Sequence, residues 1–404
     1  MTLEELSGYT TVGSFQLESQ VFINERYAIW NAHHTISNQE VSAKIYSKQF
    51  LAKEHNQEYF ENDIYCFKTF YHPFIARYIQ HFEDDKYVYI ILEPMKGGPF
   101  KELLEAKTRW NETQSRSIFI QLFMAIEYMQ TAMAMVHGNI CLDVFMVDEN
   151  NYIRLVDFWG IQPINNCSNS QTLVFNKIPF QTPEYLNTGI ITPSADIWAL
   201  GVFLYFICVG SSPFSTDTIE SVTKMDILYP SFLSGPITDL LKKLISLSPA
   251  HRLNFRAIKE HPWFAKTQYS LLTPFMIQND AFSIEIAATI CKFSDTDKLQ
   301  ADLLANEQTN EVIIYQIAKA IDHANQVHNA VAHCALTPSE SRRVSLDSDH
   351  SLLKSHSLSS FGSMSSPSSS NDKFKVKPVA LQLSRPVQVA SRRGSKVIPS
   401  LPKI

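Results

Sequence analysis

The sequence predicts an α+β protein in two lobes, β-rich first and α-rich second, followed by a small helical extension and a disordered tail. Three observations carry this reading. From Phe15 to about Ile91, short runs such as EVSAKIY and KYVYIIL are rich in β-branched and aromatic residues and read as strands. From Thr113 onward the apolar residues recur at helical spacing. After Thr337 the composition shifts to serine and basic residues.

Within the strand-rich part, Lys53 to Phe70 lacks Gly and Pro and places Tyr59, Phe60, Ile64 and Phe67 at helical spacing; His72-Pro73 stops that helix. Further on, QSRSIFIQLFMAIEYMQTAMAMVHG reads as a long amphipathic helix and ADIWALGVFLYFICVG as a buried one. A last helical block runs from Phe282 to about Val331. The tail, with stretches such as SHSLSSFGSMSSPSSSN, has too few large apolar residues to build a core and should be flexible.

With 404 residues, 45% of them apolar, the chain can bury a large core and divide into more than one unit. Its net charge of -5 hides an asymmetry. From Ser341 onward eleven Lys/Arg stand against Asp347, Asp349 and Asp372, so that segment carries +8 and the rest -13. An acidic body with a basic arm suits protein interactions, or a solvated tail. The six cysteines contain no C-x-x-C pair, so neither a zinc site nor a disulfide framework is signalled. The N-terminus is acidic where a secretory signal is basic, and the longest apolar run, Ile197 to Val209, is too short to span a bilayer. These features predict a cytoplasmic or nuclear protein with no membrane span and no nucleic-acid partner.

The chemistry centres on His137 to Gly160, HGNICLDVFMVDENNYIRLVDFWG. Its spacing resembles the protein-kinase pattern of H-R-D-L-x-x-x-N followed by a strand pair and D-F-G. Other landmarks follow in order: VSAK at 41–44 resembles V-A-I-K, ILEPMKGG at 91–98 a hinge, and TPE at 182–184 A-P-E. ADIWALG at 195–201 resembles the D-x-W-x-x-G helix, and PAHRL with HPWF at 261–264 the closing motif. Residues 15–264 thus resemble a protein-kinase domain. The hinge glycines and HPWF suggest the calcium/calmodulin-dependent and AMP-activated-like serine/threonine branch. Residues 281–322 resemble the ubiquitin-associated-like helical domain of the AMP-activated kinases, a generic helical extension being the alternative. Residues 337–404 form the tail.

The resemblance implies a site that has lost its chemistry. Asn139 replaces the general-base Asp, and its amide cannot accept a proton at neutral pH. Cys141 replaces a Lys beside the transferring phosphate, Val144 replaces a magnesium-binding Asn, and Trp159 replaces the Gly of D-F-G. The three loop glycines that let backbone N–H groups approach phosphate fall at Phe22, Asn24 and Tyr27, leaving Arg26 to meet a phosphate or, alternatively, a packed strand turn. Lys44 and Asp63 take the places of the phosphate-contacting Lys and its helix partner. Glu93 and Met95 would offer backbone groups to adenine, and Asp157 would hold one Mg²⁺. Weakly held ATP and Mg²⁺ are therefore the implied ligands. His137, Glu184, Asp196 and Arg252 are implied to hold shape. Arg342-Arg343-Val344-Ser345 and Arg392-Arg393-Gly394-Ser395 read as phosphorylation sites at Ser345 and Ser395.

The implied function is that of a pseudokinase, a phosphoregulated scaffold or allosteric partner of an active protein kinase or another signalling protein. The alternative is an ATP-dependent serine/threonine kinase with an atypical active site. Ubiquitin is not expected as a partner.

Overall fold

A computed structural model describes residues 10–166, 178–267 and 284–334, apart from single positions 54, 108, 266, 292 and 294. Ser345, Ser395 and the tail lie outside the described residues, as does the middle of the segment after Gly160. Strands β1 (Thr11–Val12), β2 (Phe15–Ile23), β3 (Tyr27–His34) and β4 (Glu40–Ser47) are followed by helices α1 (Lys48–Leu51) and α2 (Asn56–Thr69), then β5 (Tyr78–Glu83) and β6 (Tyr87–Leu92). The six strands form one antiparallel sheet in the order β1-β2-β3-β4-β6-β5.

Alternation decides which side chains face which way. Tyr27, Ile29, Val88, Ile90 and Leu92 point toward α2, whereas Ala28, Trp30, Ala32, Tyr89 and Ile91 build a second apolar cluster on the other face. The register that sets Lys44 opposite Ile29 and Ile90 aims its side chain under the sheet, toward α2.

The helical lobe begins with β7 (Gly98–Pro99), α3 (Phe100–Lys107) and α4 (Glu112–Thr131). Asn111 and Gln114 close a reciprocal capping box at the start of α4. Short strands β8 (Met135–Val136), β9 (Phe145–Val147), β10 (Ile153–Leu155) and β11 (Gln162–Pro163) carry the loops that face the upper lobe. The helices α5 (Pro183–Thr188), α6 (Pro193–Val209), α7 (Ile219–Lys224), α8 (Gly235–Leu244) and α9 (Phe255–Glu260) complete the lobe. α6 is apolar around its whole circumference and lies in the core, begun by Pro193 and stopped by left-handed Gly210.

The extension folds as α10 (Ile284–Cys291), α11 (Thr296–Leu304) and α12 (Asn310–Cys334). α12 uses two apolar faces. Val312, Tyr315 and Ala318 pack in the three-helix cluster, while Ile313 and Ile317 cover the outer face of the upper sheet. Farther along, His323 meets the ring of Tyr71, and His328 meets Tyr152 between β9 and β10, so α12 touches both lobes. Among the described residues no helix is long and apolar enough to cross a membrane.

His72 sits where α2 gives way to β5, buried against Tyr128 of α4. Its Nδ1 accepts the Phe74 N–H, and burial, reinforced by His323 and Arg154, lowers its pKa to about 3. The unfolded chain takes up this proton near pH 6.5 and the folded one does not. Stability from a neutral His72 is therefore complete above pH 6.5 and is lost progressively as the pH falls toward 3. Between pH 7 and pH 5 the expected loss from this residue is about 2 kcal/mol. Burial lowers His34, His81 and His137 as well, adding the same sign. Urea midpoints at the two pH values should converge partly in His72→Asn, whose oxygen can replace the Nδ1 acceptor; an unchanged pH slope would refute the assignment.

Candidate active site

The site lies between the lobes, where the β2–β3 turn, β4, α2 and the loops around β8–β11 converge. Lys44 is fully buried, and its ammonium pairs with Asp63 of α2 at 2.7 Å and donates to the Val156 carbonyl at 2.8 Å. The other Asp63 oxygen accepts the Phe158 N–H at 2.8 Å, and the Tyr46 hydroxyl donates to the first. Asp is one methylene shorter than the Glu expected in a kinase, yet it reaches Lys44. The ring of Phe158 packs edge-on against Phe67 and Phe70, fastening the loop after β10 beneath α2.

Asp157 is the carboxylate that the sequence reserves for a cation. Both its oxygens are engaged by the protein. Arg26 Nη2 lies 2.8 Å from Oδ2, the Tyr27 hydroxyl donates to the same oxygen at 3.2 Å, and the Trp159 N–H donates to Oδ1 at 3.0 Å. Burial by itself would raise the Asp157 carboxyl; the charges of Arg26 and Lys44 and the Trp159 N–H outweigh it and hold the group below its ordinary range.

The turn aims Arg26 inward because Asn24 organises it. The Asn24 side-chain oxygen accepts the N–H groups of both Arg26 and Tyr27, at 2.8 and 2.9 Å. Of the two readings of Arg26, a phosphate contact or a packed strand turn, the turn packs it against the buried Asp157 carboxylate, which its charge offsets. The Met95 N–H, assigned to adenine, donates to Ser42 Oγ at 3.0 Å. Glu93 turns its carboxylate to the Arg77 N–H and to Arg154, at 2.8 and 3.2 Å.

In the catalytic loop, His137 Nδ1 accepts the Asn139 N–H, so Nε2 carries the proton donated to the Asp157 carbonyl at 2.9 Å. Asp196 accepts the N–H groups of His137 and Gly138 at 3.0 and 2.8 Å and fixes the loop to α6. The Asn139 side chain is buried and donates to the Trp159 carbonyl at 2.9 Å. The Cys141 thiol, pushed up to about 12 by burial, stays protonated. Val144 is fully buried. Glu184 and Arg252 form a two-pronged pair at 2.6 and 2.7 Å, joining α5 to the base of the lobe.

A nucleotide with Mg²⁺ does not fit these residues. A hard divalent cation seeks several oxygen ligands; both Asp157 oxygens already have protein partners, and the Val144 side chain supplies no oxygen. No group of three or more His, Cys, Asp or Glu side chains suited to a metal occurs among the described residues. The loop amides that would cradle phosphate are held by Asn24 and the hinge donor by Ser42. Sequence reasoning found Arg26 but not its partner, missed Ser42, and named Asn24 only as a loop-glycine position without its turn-organising role. The signal for Ser42 was present, since VSAK has a hydroxyl where V-A-I-K has a methyl.

A bilobal fold with this Lys–Asp pair, His137 loop and Glu184–Arg252 pair defines the kinase class. Residues 28–264 match the family model of the protein kinase domain, and the chain belongs to that family. It is 26% identical to an Aurora kinase of Debaryomyces hansenii over 271 residues, covering 66% of each chain. It is 25% identical to an Aurora kinase of Saccharomyces cerevisiae over 263 residues, covering 64% of this chain and 71% of the relative. Aurora kinase A-A of Xenopus laevis is 28% identical over 231 residues, 56% of each chain. The match to the first of these thus spans just under two thirds of that relative's length. Aurora kinases are a different branch from the calcium/calmodulin-dependent and AMP-activated one suggested by the HPWF and hinge residues. Those short motifs lie in structural parts of the lobe, where packing rather than branch identity selects the residues.

Proposed function

We propose that the chain is a pseudokinase that regulates a signalling partner, such as an active protein kinase, through its shape rather than by phosphoryl transfer. The observation that carries this reading is the catalytic loop. The residue in the general-base position, Asn139, spends its amide on the Trp159 carbonyl and has no carboxylate to accept a substrate proton. Phosphoryl transfer relies on positioning and charge stabilisation, and Cys141 and Val144 have removed one cation and one metal ligand from that position. Ser345 and Ser395, each preceded by two arginines, supply the regulatory input in this reading.

A second reading has a specific support of its own. The Lys44–Asp63 pair is formed and the Phe158 packing is in place, an arrangement compatible with an atypical serine/threonine kinase related to the Aurora enzymes. A phosphotransfer assay separates the two. Full-length protein incubated with ATP, Mg²⁺ or Mn²⁺ and generic protein substrates should transfer no phosphate above a Lys44→Ala, Asp157→Ala control. Transfer abolished by both substitutions would establish the second reading and end the first.

A further inference from the structure

The two ends of the cleft are closed by different side chains, and each closure copies part of what a ligand would do. At the base end, an acceptor on a purine would take the hinge N–H of Met95; Ser42 Oγ takes it instead at 3.0 Å, from the adjacent strand. At the phosphate end, a divalent cation would neutralise Asp157; the Arg26 guanidinium does so at 2.8 Å while lying over the Trp159 ring. Resting on the pseudokinase reading above, we propose that Arg26 and Ser42 are internal substitutes for an adenine nucleotide and its metal, and that they exclude these ligands from the cleft.

The energetics favour exclusion at both ends. A nucleotide must displace the Ser42 oxygen from the hinge donor, leaving a buried hydroxyl without its partner. It must also move a buried guanidinium away from a buried carboxylate, and separating such a pair costs more than a solvent-exposed contact would. The loop between the two ends cannot compensate, because Asn24 already holds the N–H groups of Arg26 and Tyr27. The protein gains an interlobe closure that needs no ligand: Arg26 and Tyr27 from the upper sheet grip Asp157 of the lower loop while Lys44 grips the Val156 carbonyl.

The two closures are separable by experiment. Ser42→Ala frees the hinge donor and restores the alanine of the V-A-I-K pattern; Arg26→Ala frees Asp157. Full-length wild type, both single variants and the double variant are titrated with adenosine and with ADP, each with and without Mg²⁺, following the unfolding temperature and a fluorescent ADP analogue. Wild type should show no saturable response. Ser42→Ala alone should bind adenosine at least tenfold more tightly than wild type. The double variant should gain a further tenfold or more for ADP, with the larger part of that gain dependent on Mg²⁺. Amide hydrogen exchange at Met95 should quicken in Ser42→Ala with no ligand present, a readout that survives even where Arg26→Ala fails to fold.

Saturable ADP binding by the wild type, or no gain of adenosine binding in Ser42→Ala, would overturn the proposal. Neither result bears on phosphotransfer. A wild type that binds nucleotide without transferring phosphate would refute exclusion and leave the pseudokinase reading standing.

Discussion

Asp63→Asn should cost the folded chain about 3–5 kcal/mol, because it strips the compensating charge from a fully buried ammonium. Lys44 has little else to lean on. The Tyr27 ring lies 4.2 Å from its nitrogen and the Val156 carbonyl 2.8 Å away, and these soften the cation without neutralising it. Asn keeps an oxygen for the Phe158 N–H, so the charge rather than that hydrogen bond is what the substitution removes. Adding Lys44→Met should recover part of the loss, since the buried cation leaves together with its partner. Denaturant unfolding of the two variants and the Lys44→Met single variant tests the coupling. A loss below 1 kcal/mol in Asp63→Asn, or no recovery in the double variant, would show that Asp157 alone satisfies Lys44.

Trp159→Ala should be comparably damaging, with an expected loss of about 3–5 kcal/mol. The indole is fully buried where the kinase pattern has a glycine, and its ring lies 5.2 Å from Tyr59, 5.7 Å from Phe50 and 6.2 Å from Tyr46. It therefore fills the space between the lower loop and the first two helices of the upper lobe. Arg26 covers it at 5.6 Å, so the side chain that neutralises Asp157 is braced by the same residue. Phe should lose less than Ala, because most of the apolar contact remains. Equal losses for Phe and Ala would place the stabilising interaction in the indole's polar or cationic contacts instead of its volume.

The legible parts of this protein were those fixed by local pattern. The β-branched and aromatic run KYVYIIL and the helical spacing of Tyr59, Phe60, Ile64 and Phe67 gave strand and helix, because residue propensity and a period of 3.6 are properties of the chain itself. The catalytic loop was located differently, by the resemblance of the stretch from His137 to Asp157 to the protein-kinase pattern. Two kinds of information were out of reach. The branch was misread from HPWF, whose Trp263 and Phe264 serve the packing of α4. The docking of the extension was also out of reach, because His323 and His328 of α12 find ring partners on the kinase lobes that are distant in sequence.

The site divides along the same line. Set against the kinase pattern it resembles, the sequence by itself determined which residues stand at the key positions: Asn139, Val144, Trp159, and Phe22, Asn24 and Tyr27 in the loop. Residue identity needs no coordinates. Which partners those and the neighbouring residues meet was decided only by tertiary structure. Arg26 and Asp157 are 131 residues apart, and Ser42 and Met95 are 53 apart, so neither pairing has a local signal. Whether a charge such as Arg26 faces solvent, a phosphate or a buried carboxylate depends on which groups the fold brings within 3 Å of it. That is settled by the sheet register and the closure of the lobes.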